Sequence, residues 1–352
     1  MKLIPYIEVI SPNTFLPIQI TEPKECWFEL GYNDVGEFEI YAPVTKRNLD
    51  CLQKGNFVKI PNFEYIWVIT SIEYTFTAGG SRMISAKGYE CTWLLKKSVI
   101  EYNLKLPYQV GSAFIRLFNY FFKPYYPTGY GYEIVTNNVP LNETVASREN
   151  LLEYVHKMVK SNGCSLNAIY DGNLVKFRFR QGEDKSETVK FSQTNDNLLS
   201  FSYLSDDAGK ANTVYVVAKV NDVEYTTTYS TLTSDLNKET VILNSNLSNK
   251  YTDEDGNEKE LNLSNENDKA LFINWLKEEG KLELANHTTL TEIKSTIDLQ
   301  NSSYEFEKDY KLGDLVEVKD EFFNITTKQR IVKYTIRLES TGIITEELEF
   351  GE

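Results

Sequence analysis

The chain has 352 residues, a net charge of −14 and a pI near 4.9. A single core stops growing at about 250–300 residues, so two or more domains are expected. The acidity excludes tight nucleic-acid binding through clustered Lys and Arg, and 41% hydrophobic with 13% aromatic residues excludes a disordered chain.

The first stretch, to about residue 95, reads as β. Val35–Val44, Asn56–Ile60, Tyr65–Phe76 and Ser81–Glu90 alternate apolar and polar residues and are separated by turn clusters such as Pro61–Asn62 and Gly79–Gly80. The texture changes near Glu101. Val110–Phe122 predicts a helix, with Phe114, Leu117, Tyr120 and Phe121 at helical spacing. A Tyr-rich loop follows, with Tyr125, Tyr126, Tyr130 and Tyr132 among Pro and Gly. Ser147–Cys164 predicts the clearest helix. Ser147 is its expected N-cap, Leu151, Leu152, Val155, Met158 and Val159 form its apolar stripe, and Gly163 is its stop. Asp171–Gly172 between two apolar runs predicts a hairpin.

The last part returns to β. Asn197–Asp206 and Ala211–Asn221 are strand-like, and Thr226–Glu260 is polar, with the texture of exposed loops and short hairpins. Asn265–Asn286 predicts a helix with Leu271, Trp275 and Leu282 on its buried side, interrupted by Gly280. Four further strand-like segments run to the end. The fold class expected is mainly β with an α+β insertion: two related antiparallel β-barrel domains, 1–100 and 196–352 (the latter with a helix near 265–286), around a small α/β domain at 101–195. Lys54–Ile60 (KGNFVKI) and Leu312–Val318 (LGDLVEV), each followed by a long alternating strand, carry the likeness between the two β parts.

Cys26, Cys51, Cys91 and Cys164 never form a CxxC, which implies free thiols in a reducing compartment. The N-terminus has no apolar core of a signal peptide. No apolar run approaches the ~20 residues that span a bilayer, so folding in a cytoplasm is expected.

The order of these parts, with Tyr310–Asp320 (YKLGDLVEVKD) and Gly88–Ile100 (GYECTWLLKKSVI) as its local pieces, resembles the baseplate-hub or tail-associated proteins of long-tailed phages and contractile injection systems. The resemblance covers the whole chain. It implies two tail-tube-like barrels per chain and a homotrimeric ring that adapts a hexameric tail tube to a three-fold tip. The implied partners are the distal tail or tube protein, tip or fibre proteins and the tape measure, with DNA passing and no specific binding. Family members often continue into a peptidase, lysozyme or host-binding module. This sequence stops directly after its last strand, so no wall-degrading activity is expected of it. A lumen that passes DNA should repel phosphate, so part of the −14 charge is expected to line it.

Little in the sequence points to catalysis. His156 and His287 have no metal-ligand spacing around them, there is no G-x-S-x-G, and no Gly-rich phosphate loop opens a helix. Thr252–Glu260 imitates a calcium loop, but Glu258 stands where glycine is required, so a turn at Asp255–Gly256 is expected instead. No catalytic residue, metal site or cofactor is assigned. The Tyr loop is expected to pack on the Phe-rich helix, with a protein contact as its functional reading. Two other functions remain open: a receptor- or carbohydrate-binding protein of the same tail tip, and a cell-wall hydrolase using a carboxylate pair.

Overall fold

The computed structural model describes residues 6–76, 80–136, 138–195, 197–233, 237–297, 302–322 and 325–351. Gly79 of the expected Gly79–Gly80 turn and the end of the strand-like Thr291–Gln300 segment lie outside them. Both ends of the chain build one 13-stranded sheet. Strand Glu25–Gly31 pairs antiparallel with Ile325–Leu338, in register from Lys333 opposite Gly31 to Leu338 opposite Cys26. From this seam the sheet runs one way through Glu37–Pro43, Arg82–Glu90, Trp67–Phe76, Phe57–Lys59 and Ile7–Ile10 to Pro17–Thr21. It runs the other way through Ile344–Gly351 and Leu290–Ile297 to Ser202–Asp206.

Strand alternation sends Cys26, Phe28, Leu30, Phe38, Ile40, Tyr334, Ile336, Leu348 and Phe350 to one face, where all are buried in a common core. Each large side chain there contributes about 1.5–3 kcal/mol by leaving water. The two segments likened in sequence also behave alike. Gly55 (φ +93°) and Gly313 (φ +89°) each turn the chain into a short strand, Phe57–Lys59 and Leu315–Asp320 respectively. At Gly313 the need for glycine is twofold, because an added Cβ would also lie 2.2 Å from the Tyr32 ring.

Among the described residues four α-helices flank the strands: α1 Lys46–Cys51, α2 Val110–Leu117, α3 Leu151–Ser161 and α4 Glu266–Leu284. The helix expected over Val110–Phe122 forms, but after Leu117 it widens into a π turn, Phe118–Phe122. Phe114, Phe118, Phe121 and Phe122 are buried with Phe177 and Phe179 of strand Leu174–Gln181. The N-cap of α3 is Asn150, not Ser147. The Asn150 side chain accepts from the amides of Leu152 and Glu153, and Ser147 is buried one turn upstream. Gly163 (φ +65°) stops α3, and Gly172–Asn173, both with positive φ, turn the expected hairpin.

The polar stretch after residue 222 is more ordered than its composition implies. Val223–Ser230 and Thr240–Ser245 pair with Thr213–Val220 in a separate sheet, and α4 covers it. The buried side of α4 carries Phe272, Trp275, Leu276 and Leu282, with Leu271 only half-buried. Gly280, which interrupts the helical pattern, marks the close approach: a Cβ there would lie 2.9 Å from Val216 Cγ2.

Buried polar groups lock segments far apart in sequence together. Asp314, fully buried, takes the Arg180 guanidinium at 2.5 Å and the amides of Glu183 and Lys311 at 2.9 Å. Tyr65 donates to Glu307 at 2.6 Å, Asn167 to the Gly31 carbonyl at 2.9 Å, and Tyr32 to the Gly163 carbonyl at 2.7 Å. Removing one member of a buried ion pair strands the other. Asp314→Ala is therefore expected to lower the unfolding free energy by about 3–5 kcal/mol in urea titrations. Adding Arg180→Ala to it should cost less than the two single changes summed.

Candidate functional site

The face of the large sheet opposite its core is the most distinctive surface. The strands ECWFELG (Glu25–Gly31), EFEIYAP (Glu37–Pro43) and ITEELEFG (Ile344–Gly351) turn every second residue inward, apolar except for the buried Glu346. The alternate positions turn Glu25, Glu29, Glu37, Glu39, Glu347 and Glu349 outward. Lys87 lies opposite Glu39 and Lys333 opposite Glu349, while Arg337 lies opposite Trp27 and Thr345, so on these strands six glutamates share the face with three basic residues. Trp27 and Tyr41 lie on the same face. With Glu25, Glu39, Arg337 and Glu339 they line a shallow depression of about 520 Å³.

The charges here are organised. Glu39 accepts from Ser85 at 2.7 Å and pairs with Lys87 at 3.1 Å. Partial burial opposes its ionisation, but these hydrogen bonds outweigh it and hold the carboxyl below its usual range. Lys333 bridges Glu29 at 3.4 Å and Glu349 at 3.8 Å, across the seam where the two ends of the chain meet. Burial nevertheless pushes the Glu29 carboxyl up.

A second surface is the sheet edge Ser202–Asp206. It pairs on one side with Leu290–Ile297, and every residue in it is exposed. Leu199, Tyr203 and Leu204 expose 65%, 50% and 47% of their surface there. A flat edge of this kind is a template for pairing with another chain.

The Tyr loop divides. Tyr126 stacks on Phe122 at 4.5 Å, Tyr130 meets Phe15 and Phe122 edge-on at 5.2 and 5.4 Å, and Tyr132 meets Phe118 at 5.6 Å. The expected packing on the Phe-rich segment is what these rings do. Tyr125 stays exposed and donates to Glu101.

The groups with catalytic potential are dispersed. His156 lies on α3, where burial pushes its imidazole down to about 4 and keeps it neutral. His287 contacts Glu283 at 3.4 Å after α4. All four cysteines are free and buried. In Thr252–Glu260 the Asp253 carboxylate accepts the amides of Asp255 and Asn257, a tight turn with Gly256 at φ +86°. Among the described residues no group of three or more His, Cys, Asp or Glu is placed to hold a metal ion, and no helix is long and apolar enough to cross a membrane.

Two glutamates are buried where parts of the chain meet. The Glu90 carboxylate accepts from Thr92 and from the Ala168 amide. Glu279 of α4 accepts from Ser245 beside a cavity of about 120 Å³ that Tyr154 and Lys157 also line. Burial, opposed by these hydrogen bonds, pushes both carboxyls up to about 7. Sequence reading singled out neither of these, nor the acidic face. The face was signalled by Glu recurring at alternate strand positions, whereas the two buried carboxyls left no local sign.

This geometry defines a class. Solved tail proteins share this fold. Three solved structures share it over nearly the whole chain. The tail protein from Neisseria meningitidis MC58 matches at TM-score 0.57 and 14% identity, covering 99% of this chain and 96% of that one. The 43 kDa tail protein of prophage MuSo2 from Shewanella oneidensis matches at 0.57 and 12%, covering 98% and 97%. Prophage tail protein gp18 from Listeria monocytogenes EGD-e matches at 0.51 and 13%, covering 99% and 94%. Identities this low carry the fold alone. The chain itself belongs to the Siphovirus ReqiPepy6 Gp37-like protein family, whose profile matches residues 128–352. No curated protein sequence matches it.

A carboxyl raised in the folded state binds its proton more tightly there than in the unfolded chain. Its contribution is full below the ordinary value of 4.5 and is lost as pH rises through about 7. Each of Glu90 and Glu279 should thus withdraw about 3 kcal/mol over that window. Unfolding free energies measured from pH 5 to 8 should fall less steeply with pH in Glu90→Gln and Glu279→Gln than in the wild type.

Proposed function

We propose that the chain is a structural hub at the distal end of a phage tail. Three copies close into a ring that joins the hexameric tail tube to a three-fold tip and lets DNA pass. The carrying observation is the acidic outer face of the large sheet. A surface rich in Glu at alternate strand positions, with Lys87 and Lys333 already ion-paired, repels phosphate and gives DNA little to grip. Facing inward in a ring, it makes a channel wall on which DNA slides.

The exposed edge at Ser202–Asp206 supports assembly. Its partner in this reading is a neighbouring copy, which covers Leu199, Tyr203 and Leu204 and removes a hazardous free edge. The flanking tail components, a tube or distal tail protein on one side and tip, fibre or tape-measure proteins on the other, meet the ring at its two rims. The role is mechanical, without cofactor or catalysis, and its place is the virion tail after assembly in the host cytoplasm.

Mass photometry of the purified chain should give a species at three times the 40.6 kDa of one copy. Negative-stain images should show a three-fold ring with an open centre. A particle that stays a compact monomer or has two-fold symmetry overturns the ring. Tyr203→Asp with Leu204→Asp, both on exposed positions, should convert the trimer to a folded monomer.

A second check addresses the wall. Glu39→Lys with Glu347→Lys should leave the ring intact and give it a salt-dependent affinity for double-stranded DNA in gel shifts, where the wild type shows none. Wild-type retention of DNA at physiological salt would sink the channel assignment.

A further inference from the structure

We propose that the cleft between the Lys250–Glu260 hairpin and the π turn of the insertion binds an oligosaccharide built of pyranose rings. The cleft has a volume of about 700 Å³, within the range of small-molecule sites. Three tyrosines line it: Tyr102, Tyr120 and Tyr251. Each ring is braced from behind. Tyr102 lies 5.1 Å from Phe121, Tyr120 lies 4.9 Å from the Arg116 guanidinium, and Tyr251 lies 5.0 Å from Trp275. Braced aromatic rings bind at low entropic cost, and their faces match the C–H faces of pyranose rings. Tyr102 is 37% exposed, so its ring is available to a ligand.

The polar chemistry points the same way. Asn103, 4% exposed, also lines the cleft. Its Nδ2 donates to the Ser248 carbonyl at 3.3 Å, to Ser248 Oγ at 2.9 Å and to the Lys250 carbonyl at 3.1 Å. Carbonyls can only accept, so the orientation of this amide is dictated by chemistry. Its Oδ1 is left buried with no donor among the described residues. A buried acceptor without a donor is costly, and it lies in a residue of the cleft wall.

Both lysines at the rim are already ion-paired. Lys250 pairs with Glu260 and Lys259 with Asp253, both at 3.8 Å, and Arg148 Nε donates to the Glu101 carbonyl at 3.0 Å. A phosphate or carboxylate ligand would compete with Glu260 and Asp253 for these lysines, whereas a neutral polyhydroxyl ligand leaves both pairs in place. The walls are also tied together. The Thr252 amide donates to the Asn103 carbonyl at 2.9 Å, and Arg116 donates to the Glu254 carbonyl at 2.8 Å. The cleft is therefore preformed, which favours affinity for a weakly held ligand.

The test is an array of neutral and N-acetylated oligosaccharides probed with the purified full-length chain. Calorimetric titration with the best array glycan then follows. The wild type should bind, Tyr102→Ala should weaken binding by about tenfold, and Tyr102→Trp should restore it, since stacking returns with the ring. Tyr102→Ala also loses the ring's contact with Phe121, so its thermal midpoint should fall slightly while circular dichroism keeps the wild-type spectrum, and Tyr102→Trp should keep both. Failure of the wild type to bind any arrayed glycan overturns the proposal. So does binding that Tyr102→Ala leaves intact, which would place the glycan elsewhere on the molecule. The inference stands apart from the hub reading: mass photometry on the same samples reports ring formation whether or not glycan binds.

Discussion

The pairing of Glu25–Gly31 with Ile325–Leu338 is the constraint on which the rest of the molecule depends. It brings opposite ends of the chain into one sheet, and everything between must be looped out and packed back. Such pairing closes a very long loop before any contact rewards it, so it is slow to form and must be strongly rewarded afterwards. The reward is the shared core: Phe28, Phe38 and Trp67 from the first part of the chain are buried with Tyr310, Tyr334 and Phe350 from the last. Without the seam neither half has a second wall for its apolar face.

The seam also decides where charge can go. Once alternate residues are committed inward, their neighbours must face out together, and those neighbours are largely glutamates. Lys333 spans the joint between Glu29 and Glu349, so the same contact that stitches the chain ends also organises the acidic face. The junctions with the insertion are stitched differently, by buried groups whose hydrogen-bonding capacity is consumed by other parts of the chain. Asp314 and Glu90 each gather donors from segments far apart in sequence, so their loss disturbs the arrangement of parts and not one element.

Local reading served well wherever a short segment carries its own instruction. The apolar stripe of α3, the stop at Gly163 and the hairpin turn near Asp171–Gly172 each follow from adjacent residues and appear where expected. It served less well where neighbours compete. Ser147 and Asn150 are both competent N-caps, and the choice fell to Asn150 because Ser147 is drawn into burial beside Glu279. Leu271 and Phe272 are both apolar, and the packing of α4 on its sheet turned Phe272 fully inward. The polar run after residue 222 seemed loop-like because its outward positions dominate its composition, although its inward Tyr225, Tyr229, Val241 and Leu243 pack against the buried cluster.

The sequence by itself determined that the chain is mainly β with an α/β insertion, that its thiols stay free, and that its surface is acidic. These follow from composition and from periodicities of two and 3.6, which are local. Only the tertiary structure decided that both ends share one sheet, that the glutamates gather on a single face, and that Tyr102, Tyr120 and Tyr251 meet across one cleft. The physical reason is that strand pairing is chosen by backbone hydrogen bonds, which every residue but proline can make alike. Which strand finds which is therefore settled by the packing of the whole and not by any residue's own neighbours.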